Sequence, residues 1–212
     1  MSKISLKHSG GKVVSLNSPT TEPNANDVAF KLPNQDGSAN EFLKTDGSGN
    51  LSFGAAGGGK FASYAIIADQ KSNSTKGGVF TYGDWRTRDL NTELTDADGI
   101  VSISSNQFTL QAGSYLIEAQ APAYAINRHM AKLYQTSGTP ADVAFGTSEF
   151  VSYSYLGYTV SEVKARVTIS SATTYEIRHR CQSSYTGDNG FGYASEFGNV
   201  ETYTVVKIFK EV

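Results

Sequence analysis

The sequence predicts an all-β protein, a sandwich or jelly roll, on three observations. Turn formers and aromatics dominate, with 21 Gly, 12 Tyr and 11 Phe against 2 Met and 1 Trp, a mixture suited to many strands and many turns. Short runs of strand-forming residues recur between turn signals along residues 60–212. No window of about 12 residues there holds the 3.6-residue apolar period of a helix.

The same composition excludes several classes. Charged residues make up 18% and the net charge is -2, so no polyelectrolyte field is built for nucleic acid or an anionic membrane. The single Cys181 cannot close an internal disulfide or nucleate a zinc site. No stretch approaches the roughly 20 apolar residues of a membrane-spanning helix, and membrane insertion is not expected. The N-terminus, Met1 to Gly11, alternates polar and apolar residues without a continuous apolar segment. It therefore does not read as a secretory signal, and the expectation is a protein made in a cytoplasm.

Taken in order, residues 1–32 hold two alternating runs, Lys3 to Lys7 and Lys12 to Leu16, separated by Ser9-Gly10-Gly11. Their period of two predicts strands, and the glycines predict a hairpin between them. Ser18 to Asn24 has neither helix nor strand character. This zone has few large apolar residues, so it is expected to need a partner to be ordered.

Residues 33–59 carry two apolar pairs, Phe42-Leu43 and Leu51 with Phe53, around the turn Asp46-Gly47-Ser48-Gly49-Asn50. The Asp-Gly step predicts a hairpin, because glycine accepts positive φ. Gly54 to Gly59 reads as a flexible hinge.

Residues 60–212 read as one domain with strands around 61–67, 77–82, 85–90, 100–104, 107–110, 114–121, 128–135, 141–149, 157–169, 174–181 and 201–209. The last strand is apolar on both faces, with Tyr203, Val205 and Phe209 on one and Val206 and Ile208 on the other. The first, with Phe61, Tyr64 and Ile66, shows the same two-sided pattern. A strand with one face on a core should alternate cleanly, so a second layer or a second subunit must cover the other face. These eight residues are the candidate subunit interface.

Residues 32–53, with Phe42-Leu43-Lys44-Thr45-Asp46-Gly47-Ser48-Gly49-Asn50-Leu51-Ser52-Phe53, resemble a neck segment that recurs in bacteriophage tail fibres and other virion appendages. The Lys3 to Gly11 run is similar to the start of structural proteins of marine phages. Asn106 to Ile117 is similar to the F-x-x-x-x-x-G-x-Y signature of C1q-like and tumour-necrosis-factor-like heads. His129 to Tyr134, Gly146-Thr147-Ser148 and Glu201 to Lys210 resemble strands of phage members of that group. The resemblance implies a virion-anchoring segment (1–32), a short β neck with a hinge (33–59) and a jelly-roll head (60–212) that assembles as a homotrimer.

Candidate chemistry is sparse. His8, His129 and His179 are the only histidines, and no Gly-x-Ser-x-Gly elbow is present. His179 and Cys181 share one parity of a strand, but a reactive thiol needs an electropositive pocket, and the ordinary reading is a buried thiol beside a histidine. Asp96 and Asp98 in Thr95 to Gly99 resemble part of a calcium loop but lack its remaining oxygens, so a turn is the simpler reading. No catalytic residue, metal or cofactor is expected. Tyr153, Tyr155 and Tyr158 read as core or interface rings. The glycine-rich stretch Ser183 to Phe197 reads as an exposed loop, with Tyr185, Phe191 and Tyr193 as stacking residues and Asp188 and Asn189 as hydrogen-bonding ones.

The functional expectation is a non-enzymatic virion protein, a trimeric tail fibre or appendage assembled in the host cytoplasm. Its partners would be itself, another virion protein through residues 1–59, and a host surface glycan or protein. A trimeric capsid decoration protein is the neighbouring alternative, and a small glycan hydrolase the alternative from another class.

Overall fold

The computed structural model describes residues 3–7, 9–17, 30–55, 59–154 and 156–212, and within them there are strands, turns and bends but no helix. His8, the Ser18 to Asn24 segment, Tyr155 and Ala56 to Gly58 of the hinge lie outside the described residues. The chain forms two compact units, Met1–Gly57 and Gly58–Val212.

The first unit holds two antiparallel hairpins. In one, β1 (Lys3–Lys7) pairs with β2 (Val13–Asn17), and Gly11 sits at φ 85 in the turn. In the other, β3 (Glu41–Thr45) pairs with β4 (Leu51–Ala55). Gly47 and Gly49 take φ 81 and 87 there, and the Asp46 carboxylate accepts from the Ser48 and Asn50 backbone and from the Asn50 amide. All five residues of β3 are exposed. Phe42, Leu43 and Phe53 therefore find no core within the hairpin.

The second unit is the head. Its strands are β5 (Phe61–Lys71), β6 (Arg86–Thr87), β7 (Thr92–Thr95), β8 (Val101–Ser104), β9 (Gln107–Leu110), β10 (Gly113–Tyr124), β11 (Asn127–Gln135), β12 (Ala141–Phe145), β13 (Glu149–Val151), β14 (Tyr158–Ile169), β15 (Thr173–Cys181) and β16 (Glu201–Glu211). Sheet 1 has the order β14-β10-β16-β5-β7. Sheet 2 has the order β12-β11-β15-β9-β8, with β13 beside β11 and β6 beside β15.

The pairing is nested. Among the eight principal strands β5, β9, β10, β11, β12, β14, β15 and β16, the first pairs with the last, the second with the seventh, the third with the sixth and the fourth with the fifth, all antiparallel. A long hairpin rolled into two sheets has this connectivity, which defines a jelly roll.

Side-chain alternation fills the space between the sheets. On β14, Ser161, Val163, Ala165 and Val167 are buried while Glu162, Lys164 and Arg166 point out. Tyr115 and Ile117 of β10, Leu133 of β11, Tyr175 and Ile177 of β15 and Val206 and Ile208 of β16 complete the core. Each fully buried aliphatic or aromatic side chain contributes about 1.5–3 kcal/mol.

Two predicted strands change. Residues 77–82 make only an isolated bridge, Phe80 to Tyr185, because Gly77 lies against the backbone of Phe191 and Gly192, where a Cβ would come within 2.7 Å. The 85–90 run keeps only Arg86–Thr87 in a sheet, and Thr92–Thr95 forms an edge strand where no strand is expected.

The interface candidates on β16 divide. The register to β5 slips between Thr202 and Val205, a bulge with one extra residue on β16. Below it Glu201 and Tyr203 face inward; beyond it Thr204, Val206 and Ile208 do. Tyr203, Val206 and Ile208 are therefore core residues, at 5%, 0% and 0% exposure, and cannot meet another subunit. Phe61, Tyr64, Ile66, Val205 and Phe209 remain on the outer side of sheet 1.

Candidate functional site

At one end of the sandwich strands β10 and β16 and the loop between β15 and β16 converge on a buried guanidinium. Arg88 is fully buried. Its Nε donates to Thr204 Oγ1 at 2.7 Å, Nη1 to the Pro122 carbonyl at 3.2 Å and Nη2 to the Phe191 carbonyl at 2.8 Å. The Phe191 ring lies 4.2 Å from its Cζ. Burial lowers the Arg88 pKa to about 10. One side chain thus ties three segments together.

Beside it, His129 Nδ1 and His179 Nε2 share a hydrogen bond of 2.9 Å, and His129 Nε2 meets Thr159 Oγ1 at 2.7 Å. Burial, with Arg88 adding repulsion, lowers His129 to about 4 and His179 further below its usual value. Both imidazoles are thus neutral at pH 7. Cys181 does share the inward parity of His179, but burial pushes its thiol up to about 12, and His179 has His129 as its partner. No thiolate nucleophile is generated there.

The 183–197 segment is held, not loose. Glu201 accepts from the Ser195 and Glu196 backbone N–H groups, the Ser195 hydroxyl and the Ser74 N–H. The backbone donors of Ser195 and Glu196 are the chief reason its carboxyl is lowered to about 2. Gly190 packs on Phe80 and Gly192, at φ 150, packs on Tyr203, where a Cβ would come within 2.2 Å of the ring. These glycines permit close approach; they do not mark exposure.

One of the five receptor candidates is consequently interior, and Phe191 is half-buried against the core. Asn189 is 7% exposed. Phe191 stacks against Phe80 at 4.4 Å and against His179 at 6.5 Å. Asp188 and Tyr193 are exposed and Tyr185 is half-buried. Tyr124, which sequence reasoning did not single out, joins them: its ring contacts Tyr185 at 5.3 Å and Tyr193 at 5.0 Å, and Tyr185 in turn meets Tyr153 at 6.4 Å. Tyr153, read from sequence as core or interface, shares this cluster with an exposed flank.

The outer face of sheet 2 carries features that no sequence pattern flagged. Lys132 is buried, paired with Asp142 and set 4.1 Å over the Trp85 ring, with Tyr134 and Phe145 on its other sides. Arg178 pairs with Glu176 and lies 3.6 Å over Tyr134. Next to this stack opens a groove of about 800 Å³ between Tyr82, Trp85 and Phe150. Asp96 is spent on the Ile100 and Val101 backbone N–H groups as a turn residue.

No family model matches the sequence, and no curated protein matches it. Solved structures of similar shape do. The globular domain of zebrafish complement 1qA protein is 20% identical, with 69% of this chain and 95% of that chain covered and a TM-score of 0.43. Murine APRIL is 9% identical over 70% of this chain and 98% of that one, with a TM-score of 0.49. Eiger TNF from S. frugiperda is 9% identical over 70% and 92%, with a TM-score of 0.43. The nested strand pairing, and not these likenesses, carries the assignment: the head of this chain is an all-β jelly-roll sandwich.

Proposed function

We propose that the chain is a structural, non-enzymatic protein of a bacteriophage virion: a homotrimeric appendage whose head presents a host-contact surface and whose residues 1–59 join it to another virion protein. The observation that carries self-association is the outer face of sheet 1. Cross-strand register sets Arg166, Leu116, Phe209 and Tyr64 in one row, Lys164, Glu118, Lys207 and Ile66 in the next, and Glu162, Gln120 and Val205 in a third. Phe61 adds its ring to Phe209 at 5.2 Å. Tyr64 and Phe61 stay 54% and 40% exposed in the single chain.

A face of this kind, apolar at one end with charges of both signs beside it, suits burial against copies of itself. The exposed Phe42, Leu43 and Phe53 of the neck hairpin favour the same arrangement. Three as the copy number, and the virion as the location, rest on the resemblances of residues 32–53 and 106–210. The tyrosine cluster around Tyr185 and Tyr193 lies on loops at one end of the head, which suits a binding role.

Light scattering of the full chain at micromolar concentration tests the first part, with a trimer mass expected and a monomer mass overturning it. Antibody labelling of virions tests the second. Labelled tails are expected, labelled capsid surfaces would make the protein a decoration protein, and unlabelled particles would remove the virion role.

A further inference from the structure

We propose that the groove on the outer face of sheet 2 is a binding site for an acidic saccharide, recognised through a sugar carboxylate. The inference gives a ligand class to the head and rests on the adhesive reading.

The groove is walled by Tyr82, Trp85 and Phe150 and floored by Arg128, Met130 and Arg180. Its volume of about 800 Å³ falls within the range of small-ligand sites. Tyr82 and Phe150 are 61% and 62% exposed, so the ring faces that a sugar would stack against are not used by the chain itself.

Charge selects the ligand. Along this sheet face four cations project outward from β11 and β15. Lys132 has Asp142 and Arg178 has Glu176. Arg128 and Arg180 have no carboxylate partner among the described residues. Arg128 donates its Nε to Gln182 Oε1 at 2.9 Å, which orients the guanidinium and leaves its terminal nitrogens available. Arg180 is exposed and has no side-chain acceptor among the described residues.

The strand register places Met130 opposite Arg180 and puts Arg128 two residues along on the same face. Diagonal neighbours at that spacing are within reach of long side chains. The two planar forks can therefore converge on one carboxylate, the geometry for which arginine is suited. Phe150 pairs with Arg128 across β13 and β11 and so shares its outward face. A carboxylate-bearing sugar satisfies aromatics and arginines together; a bare anion satisfies only the arginines.

The test uses the full chain. Trigalacturonate and sialyllactose are the probes, their methyl esters the uncharged controls, and binding is read by saturation-transfer NMR and calorimetry at up to about 10 mM, enough to detect a Kd of roughly 1 mM. At least one acid is expected to bind. Its ester, and the Arg128→Gln and Arg180→Gln variants, should each lose roughly tenfold or more in affinity. Arg166→Gln, on the opposite sheet, should leave binding unchanged.

Silence with both acids, equal binding of the esters, or full competition by inorganic sulfate would overturn the proposal. A change of oligomeric state in the Arg128→Gln, Arg180→Gln double variant would also overturn it, because the groove would then be covered by a second copy. Loss of adsorption with saccharide binding intact bears on the adhesive reading and not on the groove.

Discussion

The two outward faces of the head arise from the same alternation of side chains, yet they end in opposite states. On sheet 2 the outward cations Lys132 and Arg178 find their carboxylates and their aromatic rings within the chain, on β11, β12 and β15 and at Trp85 just before β6. On sheet 1 the row through Leu116, Phe209 and Tyr64 meets only the Phe61 ring among the described residues, and the ion pairs of that face, Arg166 with Glu211 and Lys164 with Glu162, involve the edge strand β14. An outward face is therefore not by default a solvent face. Sheet 2 is largely finished by its own chain, apart from the groove, while sheet 1 is left open and is the face that the proposed self-association would cover.

The largest expected effect breaks the unfinished face. Phe209→Glu would place a carboxylate at the centre of the proposed contact, where an unpaired buried charge costs several kcal/mol. The trimer should dissociate by light scattering while circular dichroism still reports a folded head. A trimer that survives would mean that the two faces do not differ as described.

Acid acts between the faces. The folded pKa of His129 lies near 4, burial holds that of His179 well below its ordinary value, and both imidazoles titrate near 6.5 when unfolded. The unfolded chain thus binds more protons below pH 6.5. Stability is complete above that value, falls by about 1.4 kcal/mol per pH unit for each histidine, and levels off for His129 near pH 4. Urea unfolding between pH 7.5 and 4.5 should show this slope, and His179→Asn should flatten it. A slope unchanged in that variant would place the titration elsewhere.

A smaller effect tests the finished face. Lys132→Met removes the pair with Asp142 and the cation over Trp85. Asp142 is 41% exposed and can be rehydrated, so the loss should be about 1–2 kcal/mol in thermal unfolding, with the oligomer unchanged. Smallest of all, Arg166→Gln removes an exposed, solvent-screened pair with Glu211 and should leave the thermal midpoint essentially unchanged. A comparable loss of trimer mass there would make the sheet edge part of the contact.

Much of the fold was legible in the sequence. β14 alternates so regularly from Ser161 to Val167 that its inward face could be named, and the turn glycines of the β3–β4 hairpin announced themselves. The sides of β16 were not legible. One extra residue between Thr202 and Val205 reverses parity, and a bulge leaves no mark on apolar spacing. The same limit hid the functional end. Arg88 reads as an ordinary surface cation, and only the fold reveals that Thr204, Pro122 and Phe191 close around it. The sheet 2 groove gathers Tyr82, Arg128, Phe150 and Arg180 from segments far apart in sequence, which no local pattern can register.

The Glu201 carboxylate has a consequence for how such a head can change over generations. It grips its loop chiefly by main-chain N–H groups, those of Ser195, Glu196 and Ser74, with the Ser195 hydroxyl as the one side-chain donor. Every amino acid except proline supplies that N–H. Outward side chains such as Tyr193 and Phe197 can then be exchanged without loosening the fastening. A lineage can try new chemistries at this rim while the fastening stays the same, and surface chemistry becomes separable from foldability.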